Sequence, residues 1–210
     1  MNIKFNTLLL LLFLPSALLA NSVVEDLQTG WAIANYQLKG EPQEKKFKTL
    51  IEQADTSLQE TPQSAEVLTW SGIIKSSFAG VEGGLAALSL IKEARDDLQK
   101  AIKIDDAALS GSAYTSLGTL YFKAPGWPIS FGDDDEAERL LKKSLELNPD
   151  GIDSHYFYAE FLKDQGDYKQ AKVHLLHAQN SPKRPNRPVA DKGRQADISK
   201  ALREVEDALN

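Results

Sequence analysis

At 210 residues, with 42% apolar and 26% charged side chains, the chain has the composition of one folded unit rather than a disordered tail. A net charge of -6 argues against a non-specific binder of nucleic acid or of anionic membranes, since either needs a basic footprint. The lack of cysteine excludes a disulfide framework, a thiol nucleophile, a lipoprotein anchor and any Cys-ligated metal.

The chain opens with Lys4, an apolar run from Phe5 to Leu14, and then Pro15 and Ser16 leading to Ala17, Leu18, Leu19 and Ala20. A basic start, a short apolar stretch and a small residue at the cut are the parts of a secretory signal peptide, so residues 1–20 are expected to be removed after Ala20. The apolar run falls short of the roughly 20 residues that span a bilayer. Stable membrane insertion of the mature chain is therefore not expected, with an uncleaved anchor as the lesser alternative. Cleavage removes Lys4 and shifts the net charge from -6 to -7. Export without disulfides suits a bacterial periplasm.

Beyond the leader, apolar spacing predicts nine helices and no strand, near residues 22–39, 43–58, 64–78, 85–104, 110–123, 134–147, 151–165, 167–179 and 189–208. Within them a pattern recurs. Tyr114, Leu117, Gly118 and Tyr121 are followed by Ala137, Leu141, Ser144 and Pro149, and His155, Tyr158, Ala159 and Leu162 by Ala171, Leu175 and Ala178. Weaker copies lie in Val67, Trp70, Ser71 and Ile74 with Ala94, Leu98 and Ala101, and in Trp31, Ala34, Asn35 and Leu38 with Ile51 and Ala54. These are the two halves of a tetratricopeptide unit, and the chain resembles that family. The resemblance implies an all-α, helix-turn-helix TPR solenoid of about four units: weak repeats 28–61 and 64–108, clearer repeats 111–151 and 152–185, and a C-terminal capping helix at 189–208. The stretches PGWPISFG, GIDSHYFYAEFL and SPKRPNRPVADKGR together resemble a group of secreted bacterial tetratricopeptide proteins.

Two units carry extra residues between their helices. In the second unit eleven residues around Gly80 and Gly83-Gly84 are expected to form a long loop. In the third, the insert 124–132 is opened by Pro125 and Pro128, which end the preceding helix. Asp133 should cap the next helix, with Glu136 reaching back to complete a capping box. Asp134, Asp135 and Glu138 then suit the first turn, where the helix dipole favours acids, better than they suit a cation loop. Trp127 can point inward, as a plug for the gap opened by the insert, or outward, as an aromatic anchor; burial of large aromatics favours the plug.

Candidate chemistry is sparse. His174 and His177 could form a metal pair on one helix, but two half-exposed polar residues is the stronger reading, and His155 is expected to pack. The sequence lacks a nucleophile elbow, a phosphate loop and a dinucleotide fingerprint. No catalytic residue, cofactor or metal is therefore expected, and the chain reads as a binder rather than an enzyme.

The resemblance implies that a protein or peptide partner lies along the concave face formed by the first helix of each unit. That face would hold Thr69, Gly72 and Lys75, then Thr115, Thr119, Phe122 and Lys123, then Tyr156, Phe157, Glu160 and Lys163. Trp127 joins them if it points outward. Arg184 and Arg187, on a proline-spaced linker, would meet an acidic partner or lie on the acidic outer surface of their own molecule. The expected function is an exported scaffold with a concave peptide groove; the alternative is a small-ligand receptor whose pocket the inserted loops close.

Overall fold

The computed structural model describes residues 16–210, with side chains from Ser22; the basic start and apolar run of the expected leader lie outside the described residues. Nine α-helices follow in order: α1 (Ser16–Tyr36), α2 (Glu41–Glu60), α3 (Ala65–Glu82), α4 (Gly84–Ile104), α5 (Ser112–Lys123), α6 (Asp134–Leu147), α7 (Ile152–Asp164), α8 (Tyr168–Asn180) and α9 (Pro188–Leu209). The expected helices 22–39 and 43–58 thus begin and end a few residues away, while 134–147 is reproduced to the residue. Consecutive helices pack as hairpins, and α1, α3, α5 and α7 also touch in sequence, so the first helices of the hairpins share one face. The fold is an all-α, tetratricopeptide-like solenoid.

Close approach of paired helices depends on small residues. A Cβ on Gly118 would stand 2.8 Å from Leu141 Cγ and 3.1 Å from the Ala137 carbonyl oxygen. In the preceding hairpin it is Gly72, not Ser71, that lies so close: its Cβ would meet Leu98 Cγ at 2.5 Å and the Ala94 oxygen at 3.0 Å. The second unit is therefore shifted by one residue from the expected register. Thr69 is buried with its hydroxyl donating to the Ala65 carbonyl, Gly72 lies against α4, and Lys75 is buried against Asp97 with Nζ 2.8 Å from Oδ2. None of the three lies on the concave face, which passes to Ile73, Ser76 and Gly80.

The extra residues of the second unit do not make a loop. They lengthen α3 and α4, which meet at a turn where Gly83 and Gly84 hold φ of 71° and 60°, a backbone region open to glycine at little cost. The insert of the third unit is a clipped loop: Gly132 N–H donates to the Pro125 carbonyl at 2.9 Å, and Asp133 N–H to the Tyr121 carbonyl at 3.0 Å. Asp133 caps α6 as expected, its Oδ1 accepting from Glu136 N–H at 2.9 Å. The capping box is only half made, because Asp133 N–H is already taken and the Glu136 carboxylate turns to Arg139.

Trp127 is 90% exposed, contrary to the plug expectation. Phe131 fills that role instead, edge-on to Tyr121 at 5.3 Å and beneath the Arg95 guanidinium at 4.7 Å. Phe131 precedes the glycine that closes the loop, and closure folds it back under Tyr121, whereas Trp127 stands at the far bend.

The end of the chain does more than cap. Ile198, Leu202 and Val205 are buried with Leu175 and Ala178 of α8, whereas Ala208 is exposed. The first half of α9 crosses to α1: Ala190 joins the core around Trp31, and Gly193 lies so close to Tyr36 that a Cβ would fall 2.4 Å from its ring. The first and last helices thus meet.

Phe131→Ala should lower unfolding stability by about 1 to 3 kcal/mol, while Trp127→Ala should stay within about 0.5 kcal/mol of the parent in urea denaturation. The reverse order would show that Trp127 is the loop's internal support.

Candidate functional site

Because α9 reaches α1, the concave face becomes a half-open hollow of about 660 Å³ rather than an open channel. Its floor and one wall come from α3 and α4, with Trp70, Ile73, Gly80, Leu88 and Ile91. The extensions of α3 and α4 contribute here, so the second unit's extra residues do border the groove, as helix. The opposite wall is α5, with Ser112, Thr115, Ser116, Thr119 and Lys123, continued by Pro125. Trp31 and Asn35 of α1, Tyr156 and Phe157 of α7, and Arg187 and Arg194 close the remaining side. Trp31 is fixed by an N–H bond from Nε1 to Ser77 Oγ, 2.8 Å, and stands edge-on to Trp70.

The charged side of the hollow is organised by Asp153. Its Oδ2 accepts from Arg184 Nη1 at 2.6 Å and its Oδ1 from Arg194 Nε at 2.8 Å. Arg184 also grips Asp191 through its backbone N–H and Nε, each at 2.7 Å, and Arg194 reaches Asp197 at 3.0 Å. Burial alone would push the Asp153 carboxyl up, but Arg194 and then Arg184 outweigh it and hold its pKa well below the carboxylate range. Arg194 lies over the rings of Tyr156 and Phe157, with its carbon 4.3 and 4.6 Å from their centroids.

Of the residues expected to bind, Thr115, Thr119, Lys123, Tyr156, Phe157 and Arg187 line the hollow together. Thr115 is nonetheless buried and bonded to the Ser144 hydroxyl, and the Thr119 hydroxyl donates to the Thr115 carbonyl, so both are wall rather than free donors. Phe122 packs against Phe161 in the core. Glu160 and Lys163 pair with each other, Lys163 also binding Glu204, and neither borders the hollow. Trp127 lies outside it. Arg184 is spent on Asp153 and Asp191, which places the linker cations inward against α7 and α9 rather than on the outer surface.

Sequence reasoning missed Asp153 and Ser112, although both sit two residues before the large packed residue of their unit, a position facing the groove. It missed Trp31 and Trp70 as well. Nothing local in the sequence says that α9 returns to α1.

Residues 129–184, from the end of the insert through α6, α7 and α8, match the tetratricopeptide repeat family. No curated protein matches the chain.

The three histidines, read as separate, form one stack on the outer side of α7 and α8. His155 and His177 rings lie 3.7 Å apart, and His155 Nδ1 is 2.9 Å from His174 Nδ1. Since the Pro149 carbonyl can only accept, His155 carries its proton on Nε2, 2.7 Å from that oxygen. Its Nδ1 then accepts from His174 Nδ1–H. A further proton on His155 would destroy that bond. Among the described residues no group of three or more histidines and acids is arranged to hold a metal ion.

Burial lowers the pKa of both rings, and the positive charge of neighbouring imidazoles adds to the effect on His174, which falls from 6.5 to about 4. Between those values the unfolded chain takes up a proton that the folded chain refuses, so this part of the stability is complete above pH 6.5 and is lost as pH falls toward 4. The urea midpoint should accordingly drop between about pH 7 and about pH 5, and His174→Gln should flatten that drop. Equal slopes in the two proteins would contradict the assignment.

Proposed function

We propose that the chain is a binding protein, not an enzyme, that holds a peptide segment of a protein partner in the hollow between α3, α5, α7 and α9. The observation that carries this reading is the hollow itself. It is apolar on the α3 and α4 side, aromatic and cationic on the α7 and α9 side, and formed in part by the first helices of the units, whose faces hold peptides in tetratricopeptide proteins. Tyr156 and Phe157 offer flat aromatic area of the sort enriched where binding energy concentrates. The stack of convergent acids, nucleophile and base expected of a catalytic site is not among the residues that line it.

The leader supports export, cleavage after Ala20 and a periplasmic location, and the motifs around PGWP support kinship with secreted bacterial tetratricopeptide proteins. Among the described residues no helix is long and apolar enough to cross a membrane. A second reading, a receptor for a small molecule, is favoured by the return of α9, which confines the hollow to a volume in the range of small-ligand pockets, roughly 300 to 1,000 Å³.

Both parts of the reading can be tested on one preparation. Tagged protein recovered from the periplasm should begin at Asn21 and carry a partner protein. Ser116→Trp, which fills the hollow without removing a buried contact, should release that partner, while Leu176→Glu on the exposed face of α8 should keep it. Retention by Ser116→Trp together with loss by Leu176→Glu would move the binding surface to the outside of the solenoid.

A further inference from the structure

Arg187 is the anomaly of the hollow. Its guanidinium lies 5.0 Å above the Trp70 ring, and its Nε is buried without a hydrogen-bond partner. The neighbouring arginines are fully engaged: Arg184 and Arg194 take both oxygens of Asp153 and reach on to Asp191 and Asp197. Among the described residues no carboxylate comes within ion-pair distance of Arg187. A half-buried guanidinium without an anion is costly, and here it persists facing an accessible space.

Asp153, Asp191 and Asp197 match Arg184, Arg187 and Arg194 in number, but the charge that lines the hollow is in excess in the same sense. Lys123, Arg187 and Arg194 line the hollow against one carboxylate, Asp153, which Arg184 and Arg194 already neutralise. Among the described residues Lys123 has the Phe122 ring, 4.6 Å from its Nζ, as its partner. Burial first, and then the nearby Arg184, lower the Arg187 pKa to about 10, which still leaves it charged at neutral pH. An incoming anion would relieve both.

The rest of the neighbourhood is apolar. The Trp70 indole packs against Trp31, and Leu88 and Ile91 continue the wall. A ligand satisfying every surface here would present a flat or branched apolar group with a negative charge a few bonds away. The planar fork of arginine suits a carboxylate better than a point charge would.

We propose that Arg187, over the ring of Trp70, is the binding site for a carboxylate that the partner segment carries beside an apolar side chain. This rests on the hollow being the peptide site. The carboxylate comes either from the end of a chain or from an acidic side chain, and the two call for the same pocket.

Isothermal titration calorimetry of the intact protein with three probes separates the possibilities: N-acetyl-phenylalanine, its neutral amide, and N-acetyl-aspartyl-phenylalaninamide. At least one carboxylate probe should bind about tenfold or more tightly than the neutral amide, the difference expected when a charge-assisted hydrogen bond replaces a neutral contact. Preference for the first acid assigns the site to a chain end, and preference for the aspartyl probe to an acidic side chain. Arg187→Gln should abolish the preference. If that variant fails to fold, as checked by its melting curve, Arg187→Lys keeps the charge without the fork and should reduce the preference.

The proposal is overturned if acid and amide bind equally to the parent protein, if no probe binds, or if the Arg187 variants keep the full preference. Binding of an acid probe to a protein whose partner survives Ser116→Trp would leave the anion site standing and remove the protein-partner reading.

Discussion

One carboxylate, Asp153, decides the shape of this protein. Two arginines from beyond the last helical hairpin converge on it, Arg184 from the proline-spaced linker and Arg194 from α9, and together they turn the chain end back across the concave face. The same turn brings Asp197 to the Tyr36 hydroxyl, which donates to it at 3.0 Å, and sets Gly193 on the Tyr36 ring. Burial pushes the Tyr36 hydroxyl pKa upward, keeping it a donor. Each ion would be expensive to bury alone, and removal of one partner from such a cluster typically costs about 3 to 5 kcal/mol. The network adds to the apolar contacts that Val189 and Ala190 of α9 make with the core around Trp31 of α1.

Closure has a functional corollary. An open solenoid exposes a long concave surface on which an extended segment can lie end to end. Here the far end is walled by Trp31, Arg187 and Arg194, so the accessible surface is short and deep, with a polar side and an apolar side. Such a space selects by the chemistry of a few groups rather than by the length of a segment. The inserted residues serve it unequally: those of the second unit extend α3 and α4 to make wall, while those of the third place Ala124 and Pro125 at the edge and carry Trp127 away into solvent.

Much of the fold was legible because helical hairpins are local. Proline and glycine end helices, small residues mark close approach, and Asp133 announces α6; each acts within a few residues of itself. The register of the second unit was misread because Trp70, large, apolar and buried, passes for the packed hairpin position although it also borders the hollow, and the glycine that sets the spacing lies one place later. The site was legible only in part, and for a related reason. Thr119, Lys123, Tyr156 and Phe157 follow from repeat position, whereas Arg187, Arg194, Asp153 and Trp31 come together through the return of α9, a contact spanning more than 150 residues for which the pattern has no signal. The histidine stack escaped notice likewise: His155 is one helix away from His174 and His177, and only the packing of α7 on α8 superposes the rings.

The most direct test of this account is the distance between the two ends of the solenoid. The natural chain has no cysteine, so single cysteines at exposed Gln37 and Lys192, which flank the Tyr36–Gly193 contact, can each take one spin label. Double electron–electron resonance in solution should give one short, narrow distance distribution. A broad distribution, or one centred at a long distance, would mean that α9 does not hold α1 and that the hollow is an open groove.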